Sequence, residues 1–126
     1  MLYRINGTRP ITRPTHLETW NIITNGPRKL TQAQFDFIID GITRHMIDTH
    51  DKVTVPGWKA ESNWAGLPWK ELYRTAGKDT RLAAYMLGSM AQYAFIKHPA
   101  VWYCGQTVYT GRDIPNTYYF QKGSNE

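Results

Sequence analysis

Apolar residues recur at the spacing of one helix face over residues 32–48. They are Phe35, Ile38, Ile39, Ile42 and Met46. At the start of this pattern, Thr31 and Gln34 have the spacing of a capping box, in which each side chain bonds the backbone of the other residue. The sequence therefore predicts an amphipathic helix over 32–48.

A stretch of fifteen residues, Leu82–Ile96, contains no charged side chain. It is shorter than the roughly 20 apolar residues that span a bilayer, and it lacks the polar face of a surface helix. Asp79 or Thr80 is suited to cap its start, and Pro99 ends it. We therefore predict a helix over 80–97 that is either the centre of a small core or covered by a partner.

A short helix is predicted just before this long one. Pro68 suits the first position of a helix over 68–76, and Gly77 suits the left-handed position that follows it. Residues 49–66 show a Pro-Gly turn and little periodicity, so they predict a long connection. A connection of this length in a small domain either carries function or contains further structure.

Two regions predict strands. Leu17–Thr24 contains β-branched and aromatic residues and precedes an Asn-Gly-Pro turn sequence, so we expect one strand there. Residues 101–109 and 117–121 are rich in Tyr, Trp, Thr and Val and flank a run of turn formers. They predict a C-terminal β-hairpin over 101–121.

These elements predict an α+β fold in a single domain, 1–126, with about three helices, the C-terminal hairpin and an extended or β N-terminal segment. Residues 123–126 are expected to fray. The order helix, short helix, long helix, hairpin resembles that of winged helix-turn-helix proteins. The resemblance implies that the third helix enters the major groove of DNA. Because this helix offers only Arg81, Gln92 and Lys97 to the bases, nucleic-acid contact is expected to fall to the N-terminal segment and the hairpin.

The positive charge is concentrated near the N-terminus. The net charge is +5, and residues 1–29 contribute five cations against the single acid Glu18, a net +4. Such a segment indicates contact with an anionic partner, and a solvated, solubilising surface is the alternative. The candidate nucleic-acid-binding residues are Arg4, Arg9, Arg13, Arg28, Lys29 and, in the expected turn of the hairpin, Arg112.

A second hypothesis is a protein-interaction module. Trp58, Trp64 and Trp69 lie close together with basic neighbours, which fits packing onto the core, anchoring of a protein partner, or stacking of bases. The small residues Ala84, Gly88 and Ala91 share one side of the long helix and would let another backbone approach. Such a module would be an inhibitor of a host or defence complex, an adaptor or a subunit of an assembly, of the kind that phages and mobile elements encode.

Residues for chemistry are sparse. His45, Asp48 and His50 do not match the helical zinc patterns, and no phosphate-binding loop, dinucleotide fingerprint or nucleophile motif is present, so we expect no metal, cofactor or catalytic set. An enzyme whose distant residues converge in the fold is the third hypothesis. Cys104 is the single cysteine, which excludes an intramolecular disulfide and favours a buried structural thiol. With no apolar leader or membrane span, a cytoplasmic location is expected.

Overall fold

The computed structural model describes residues 1–5, 7–48, 52–55, 70–106 and 117–121. Within these residues the helices are Leu17–Asn25 (α1), Gln32–Ile42 (α2), Glu71–Thr75 (α3) and Thr80–Lys97 (α4). The strands are Leu2–Arg4 (β1), Pro10–Ile11 (β2), Lys52–Val55 (β3), Trp102–Gln106 (β4) and Thr117–Gln121 (β5). The α+β class predicted from the sequence is confirmed.

The strands form one five-stranded mixed sheet in the order β2-β1-β4-β5-β3. β1 runs parallel to β4 with Leu2 opposite Trp102, and the other pairs are antiparallel. The predicted hairpin is confirmed as β4 and β5, with Cys104 opposite Tyr119. Its turn, residues 107–116, lies outside the described residues, as does the tail over 123–126.

The hydrophobic core lies between one face of this sheet and the helices α1, α2 and α4. Phe95 of α4 stacks on Tyr119 with ring centroids 3.8 Å apart and meets the edge of Trp102 at 4.8 Å. Trp102, Tyr119 and Phe95 are the largest of the fully buried side chains. The sheet and the long helix therefore share one aromatic core.

Both of the longer predicted helices are confirmed. Thr31 Oγ1 accepts a bond from the Gln34 amide at 3.1 Å, and Gln34 Oε1 accepts one from the Thr31 amide at 2.9 Å, which completes the capping box of α2. After Ile42 the helix continues as a π-helical turn, Thr43–Ile47. Asp79 caps α4 through bonds from two amides of its first turn.

The strand predicted over Leu17–Thr24 is wrong, because this segment is the helix α1. Its buried residues are Thr19 and Ile23, one helical turn apart, and Trp20 beside them contacts the rings of Phe35 and Tyr93. The helix buries this side against α4 and α2. Tertiary packing therefore overrides the β propensity of the β-branched residues.

The elements between α2 and α4 differ in part from the predicted ones. The long connection over 49–66 contains β3, which pairs with β5 through a register that sets Val53 opposite Tyr119. α3 is shorter than the predicted 68–76, of which 68 and 69 lie outside the described residues. Gly77 has φ +67°, as predicted for the position after a helix. The amides of Gly77 and Lys78 bond the carbonyls of Arg74 and Tyr73, which is a Schellman motif.

None of the helices in the described part of the chain has the length and apolar character needed to cross a membrane. The longest, α4, is a core helix, because most of its buried residues belong to the hydrophobic cluster that the described residues form. Of the two roles predicted for this uncharged helix, the first, at the centre of the core, is the one observed.

Candidate nucleic-acid interface

Three N-terminal arginines stand on the rim of the sheet. Arg4 is the last residue of β1, Arg9 directly precedes β2, and Arg13 follows β2 by two residues. All three side chains are exposed, and none has a hydrogen bond or an ion pair with a described residue. Their side chains are therefore in contact with solvent.

The segment that carries Arg13 is fixed to the domain. Pro14 is fully buried, and the Thr15 amide donates a bond to Gln92 Oε1 of α4 at 2.8 Å. The ring of His16 stacks on Tyr85, with centroids 5.5 Å apart. Because the backbone on one side of Arg13 is already ordered, binding through this arginine costs less conformational entropy than binding through a loose arm.

Arg28 and Lys29 lie elsewhere, in the turn between α1 and α2. The Arg28 guanidinium packs over Gly77, so closely that a Cβ on this glycine would lie 2.6 Å from Nη2. Arg28 therefore has a structural contact at the end of α3, whereas the Lys29 side chain is simply exposed. Arg112, Trp58, Trp64 and Trp69 lie outside the described residues.

The described charges are distributed unequally between the two layers. Residues 1–11, with residue 6 outside the described part, and strands β3, β4 and β5 contain the cations Arg4, Arg9 and Lys52 and no acid. Every described acid lies on a helix, at its cap or directly after it: Glu18, Asp36, Asp40, Asp48, Glu71 and Asp79. Two of these acids pair with cations of their own helix, Asp40 with Arg44 and Glu71 with Arg74. Every charged residue in the described part of the sheet is thus a cation.

A row of aromatic side chains crosses the sheet on the face away from the helices. Trp102 and Tyr119 point to the helices, so Tyr103, Tyr118 and Phe120, their neighbours along β4 and β5, point to the other side. Tyr3 of β1 is opposite Tyr103 in the register and joins them. We call these four residues, Tyr3, Tyr103, Phe120 and Tyr118, the aromatic row.

Successive rings of the aromatic row lie next to one another. Ring centroids are 5.8 Å apart from Tyr3 to Tyr103, 5.8 Å from Tyr103 to Phe120, and 6.1 Å from Phe120 to Tyr118. All four side chains are half-buried. Sequence reasoning treated these aromatics only as strand formers. Their alternation with the buried Trp102 and Tyr119 was the signal that could have placed them on a second face.

The small-residue side of α4 is mostly inside the domain. Ala84 and Ala91 are 1% and 0% exposed and face the core. Gly88 is half-buried, and a Cβ added to it would meet no atom within 4 Å. Of the three α4 residues among those predicted to meet a partner, Gly88 has open space beside it and the other two are buried.

The described residues that could carry out chemistry, a cysteine and possible metal ligands, do not form a reactive site in the described part of the chain. Cys104 is buried, and burial raises the pKa of its thiol, with a smaller opposing influence of Arg4. The predicted burial of Cys104 is confirmed, and a raised pKa disfavours the nucleophilic thiolate. Within the described part of the chain, no three His, Cys, Asp or Glu side chains come together as metal ligands.

No family model, curated protein or solved structure matches the chain.

Proposed function

We propose that this protein is a small, non-enzymatic binding protein that contacts nucleic acid through its basic N-terminal segment and its hairpin. The observation that carries the proposal is the purely cationic rim of the sheet, formed by exposed arginines without partners among the described residues. The backbone that follows Arg13 is anchored by the buried Pro14 and by the bond from Thr15 to α4. Exposed cations on an anchored backbone are suited to phosphate groups.

The proposed mode of contact differs from that of a winged helix-turn-helix. In the usual mode the third helix enters the major groove with its polar side chains toward the bases. Here the corresponding helix is α4, whose buried residues pack against α1, α2, α3 and the sheet. We therefore assign the contact to the N-terminal segment and the hairpin, and we treat the winged-helix likeness as one of chain order alone.

The experiment that tests the proposal is the salt dependence of binding. The triple variant Arg4→Ala, Arg9→Ala, Arg13→Ala is compared with the wild type by fluorescence anisotropy on labelled DNA and RNA. Each phosphate contact contributes about 0.7–0.9 to the slope of log affinity against log salt concentration. We expect the triple variant to lower that slope by roughly two to three.

A matched control removes the same charge from the helical layer. Arg44, Lys70 and Lys97 are exposed cations on or beside α2, α3 and α4, and their replacement by Ala gives the same net charge as the triple variant. If the proposal holds, this control keeps most of the wild-type slope. Equal slopes for the two triple variants would mean that binding depends on net charge alone and would contradict the assigned surface.

The protein-interaction module is the alternative outcome. Chromatography with light scattering at low salt reports mass and nucleic-acid content together. A nucleic-acid-free complex of higher mass, unchanged by the arginine substitutions, would favour it over the proposed function. The single, buried cysteine fits a cytoplasmic location for either role, because that compartment keeps thiols reduced.

A further inference from the structure

We propose that the aromatic row is a stacking platform for the bases of a single-stranded nucleic acid. The inference rests on the proposed function and names its ligand more closely. The row consists of rings on three neighbouring strands, β1, β4 and β5, on the face of the sheet opposite the helices. Aromatic rings stack bases of any sequence, since every base offers a π-face.

The geometry of the row fits several successive bases. Tyr3, Tyr103 and Phe120 are side by side in the sheet register, with equal ring separations of 5.8 Å. The planes of successive rings are inclined by 33° and 25°. The row therefore repeats a similar ring surface across three strands, which suits a ligand that is itself a repeat of flat aromatic units.

Charge complementarity argues for a polyanion as the occupant. Arg4 directly follows Tyr3 and leaves β1 on the opposite face, next to Cys104, and Arg9 precedes Pro10, the register partner of Tyr3. At the other end of the row, Lys52 of β3 is the register partner of Phe120. Exposed arginines thus lie at the β1–β2 edge of the sheet, next to one end of the row, and the described strands contain no acid. A protein partner would account for the tyrosines and leave this charge pattern unexplained.

A single strand fits the row better than a duplex. Bases in a duplex are already stacked and paired, and rings on a sheet reach bases only where the strand is open. A single strand that crosses the row offers its bases to the rings and can place its phosphates near the arginines at the β1–β2 edge. In this proposal the aromatic row stacks the bases, and the arginines on the rim of the sheet contact the phosphates.

Tyr118 also has a structural role on this face of the sheet. It is the register partner of Gly105, and a Cβ on that glycine would lie 2.7 Å from the Tyr118 hydroxyl oxygen. The ring therefore lies against the glycine of β4. For this reason the variants that test stacking are made at Tyr3, Tyr103 and Phe120 and leave Tyr118 in place.

The experiment measures the affinity of Tyr3→Leu, Tyr103→Leu and Phe120→Leu, singly and together, for labelled oligo-dT, oligo-rU and a DNA duplex. Leucine keeps an apolar side chain on the strand and removes the stacking surface. We expect each substitution to weaken single-strand binding about 5-fold or more and to leave duplex binding and the salt slope close to wild type. Ultraviolet cross-linking of wild-type protein to oligo-dT should locate the cross-links on the row.

The control is Phe37→Leu, which removes a ring that is 60% exposed on α2, in the helical layer. It should bind as the wild type does. Thermal unfolding of each variant checks that it is folded. If the triple variant does not fold, the single Phe120→Leu variant is used to test stacking.

The outcomes separate the two proposals. Ring variants that bind single strands as wild type does, while the arginine variant loses binding, overturn the stacking platform and leave the proposed function standing. A wild-type protein that retains no nucleic acid at low salt overturns both. Loss of a protein partner from the ring variants, with no effect on nucleic acid, would assign the row to a protein interface and contradict the platform.

Discussion

Nε2 of His98 lies 3.0 Å from Oδ1 of Asp48, so this imidazole connects the end of α4 to the end of the π-helical turn. The other ring nitrogen, Nδ1, accepts bonds from the Ala100 amide at 3.1 Å and from Nε1 of Trp102 at 3.4 Å. Nδ1 is therefore the acceptor and Nε2 the donor toward the carboxylate. With both nitrogens engaged, His98 has a structural role and is not placed as a general base.

His98 and Asp48 should contribute unequally to stability. His98→Leu leaves the indole N–H of the buried Trp102 without its acceptor, so we expect the free energy of unfolding to fall by about 1–3 kcal/mol. Asp48→Ala removes a carboxylate that is 52% exposed, and should cost less than about 1 kcal/mol. Urea unfolding of both variants checks the order. A larger loss for Asp48→Ala would contradict the assigned network.

Two glycines should respond oppositely to the same substitution. Gly88 is in the interior of α4 with open space around its Cα, so Gly88→Ala should raise the free energy of unfolding by roughly 0.5–1 kcal/mol. Gly77 has φ +67° and the Arg28 guanidinium against it, so Gly77→Ala should lower it by about 1 kcal/mol or more. Chemical denaturation of the pair measures both signs. A destabilising Gly88→Ala would show that something occupies the space beside this glycine.

The stack of Phe95 on Tyr119 should be among the largest single contributions to the core. Both rings are almost fully buried, and Phe95 also meets Trp102. Phe95→Ala opens a cavity between the sheet and α4, and we expect a loss of about 3–5 kcal/mol in the free energy of unfolding. The exposed Phe37 on α2 gives the matched comparison, since Phe37→Ala should cost less than about 1 kcal/mol. Similar losses at the two positions would contradict this core.

Alkaline pH should destabilise the fold through Cys104. Burial raises the pKa of this thiol above its ordinary value of 9.0, so the unfolded chain releases the proton first as the pH rises. The unfolded state binds fewer protons in that range, and stability therefore falls above about pH 9, by at most about 1.4 kcal/mol per pH unit. Below that pH this group contributes no slope.

The variant Cys104→Ala isolates this contribution. Its free energy of unfolding should fall less steeply than that of the wild type above pH 9, and the two curves should be parallel at neutral pH. Burial also raises the pKa of Tyr119, so both proteins should lose further stability as the unfolded tyrosine ionises. Wild-type and variant curves that stay parallel throughout would show that Cys104 has an ordinary pKa in the fold.

The sequence predicted best those elements whose signals are local. The capping box of Thr31 and Gln34, the cap at Asp79 and the left-handed Gly77 each involve residues within one turn of each other, and all are found in the structure. The hairpin strands were recognisable because their β propensity is high and the turn formers between them are dense. Local chemistry alone determines such signals.

The elements that the sequence did not predict depend on distant partners. α1 has the composition of a strand and becomes helical because one of its sides packs on α4 and α2. β3 is four residues long and is defined by its pairing with β5, more than sixty positions away. The aromatic row arises only when β1 joins β4, which places Tyr3 beside Tyr103. The two partners in each of these contacts are too far apart in sequence for a local pattern of residues to indicate that they meet.

The parallel pairing of β1 with β4 also sets the order in which the molecule assembles. Leu2 meets Trp102 across a hundred positions of chain, one of the most distant contacts in the fold. Such contacts carry the highest loop-closure entropy and form slowly, whereas the helices and the hairpin form from nearby residues. During synthesis on the ribosome, β1 can pair with the nearby β2, but it cannot join the rest of the sheet until β4 has emerged. The β1–β2 pair with Arg4 and Arg9 therefore stays detached from β4 for most of the synthesis of the chain, and the aromatic row is complete only after β4 and β5 have joined it.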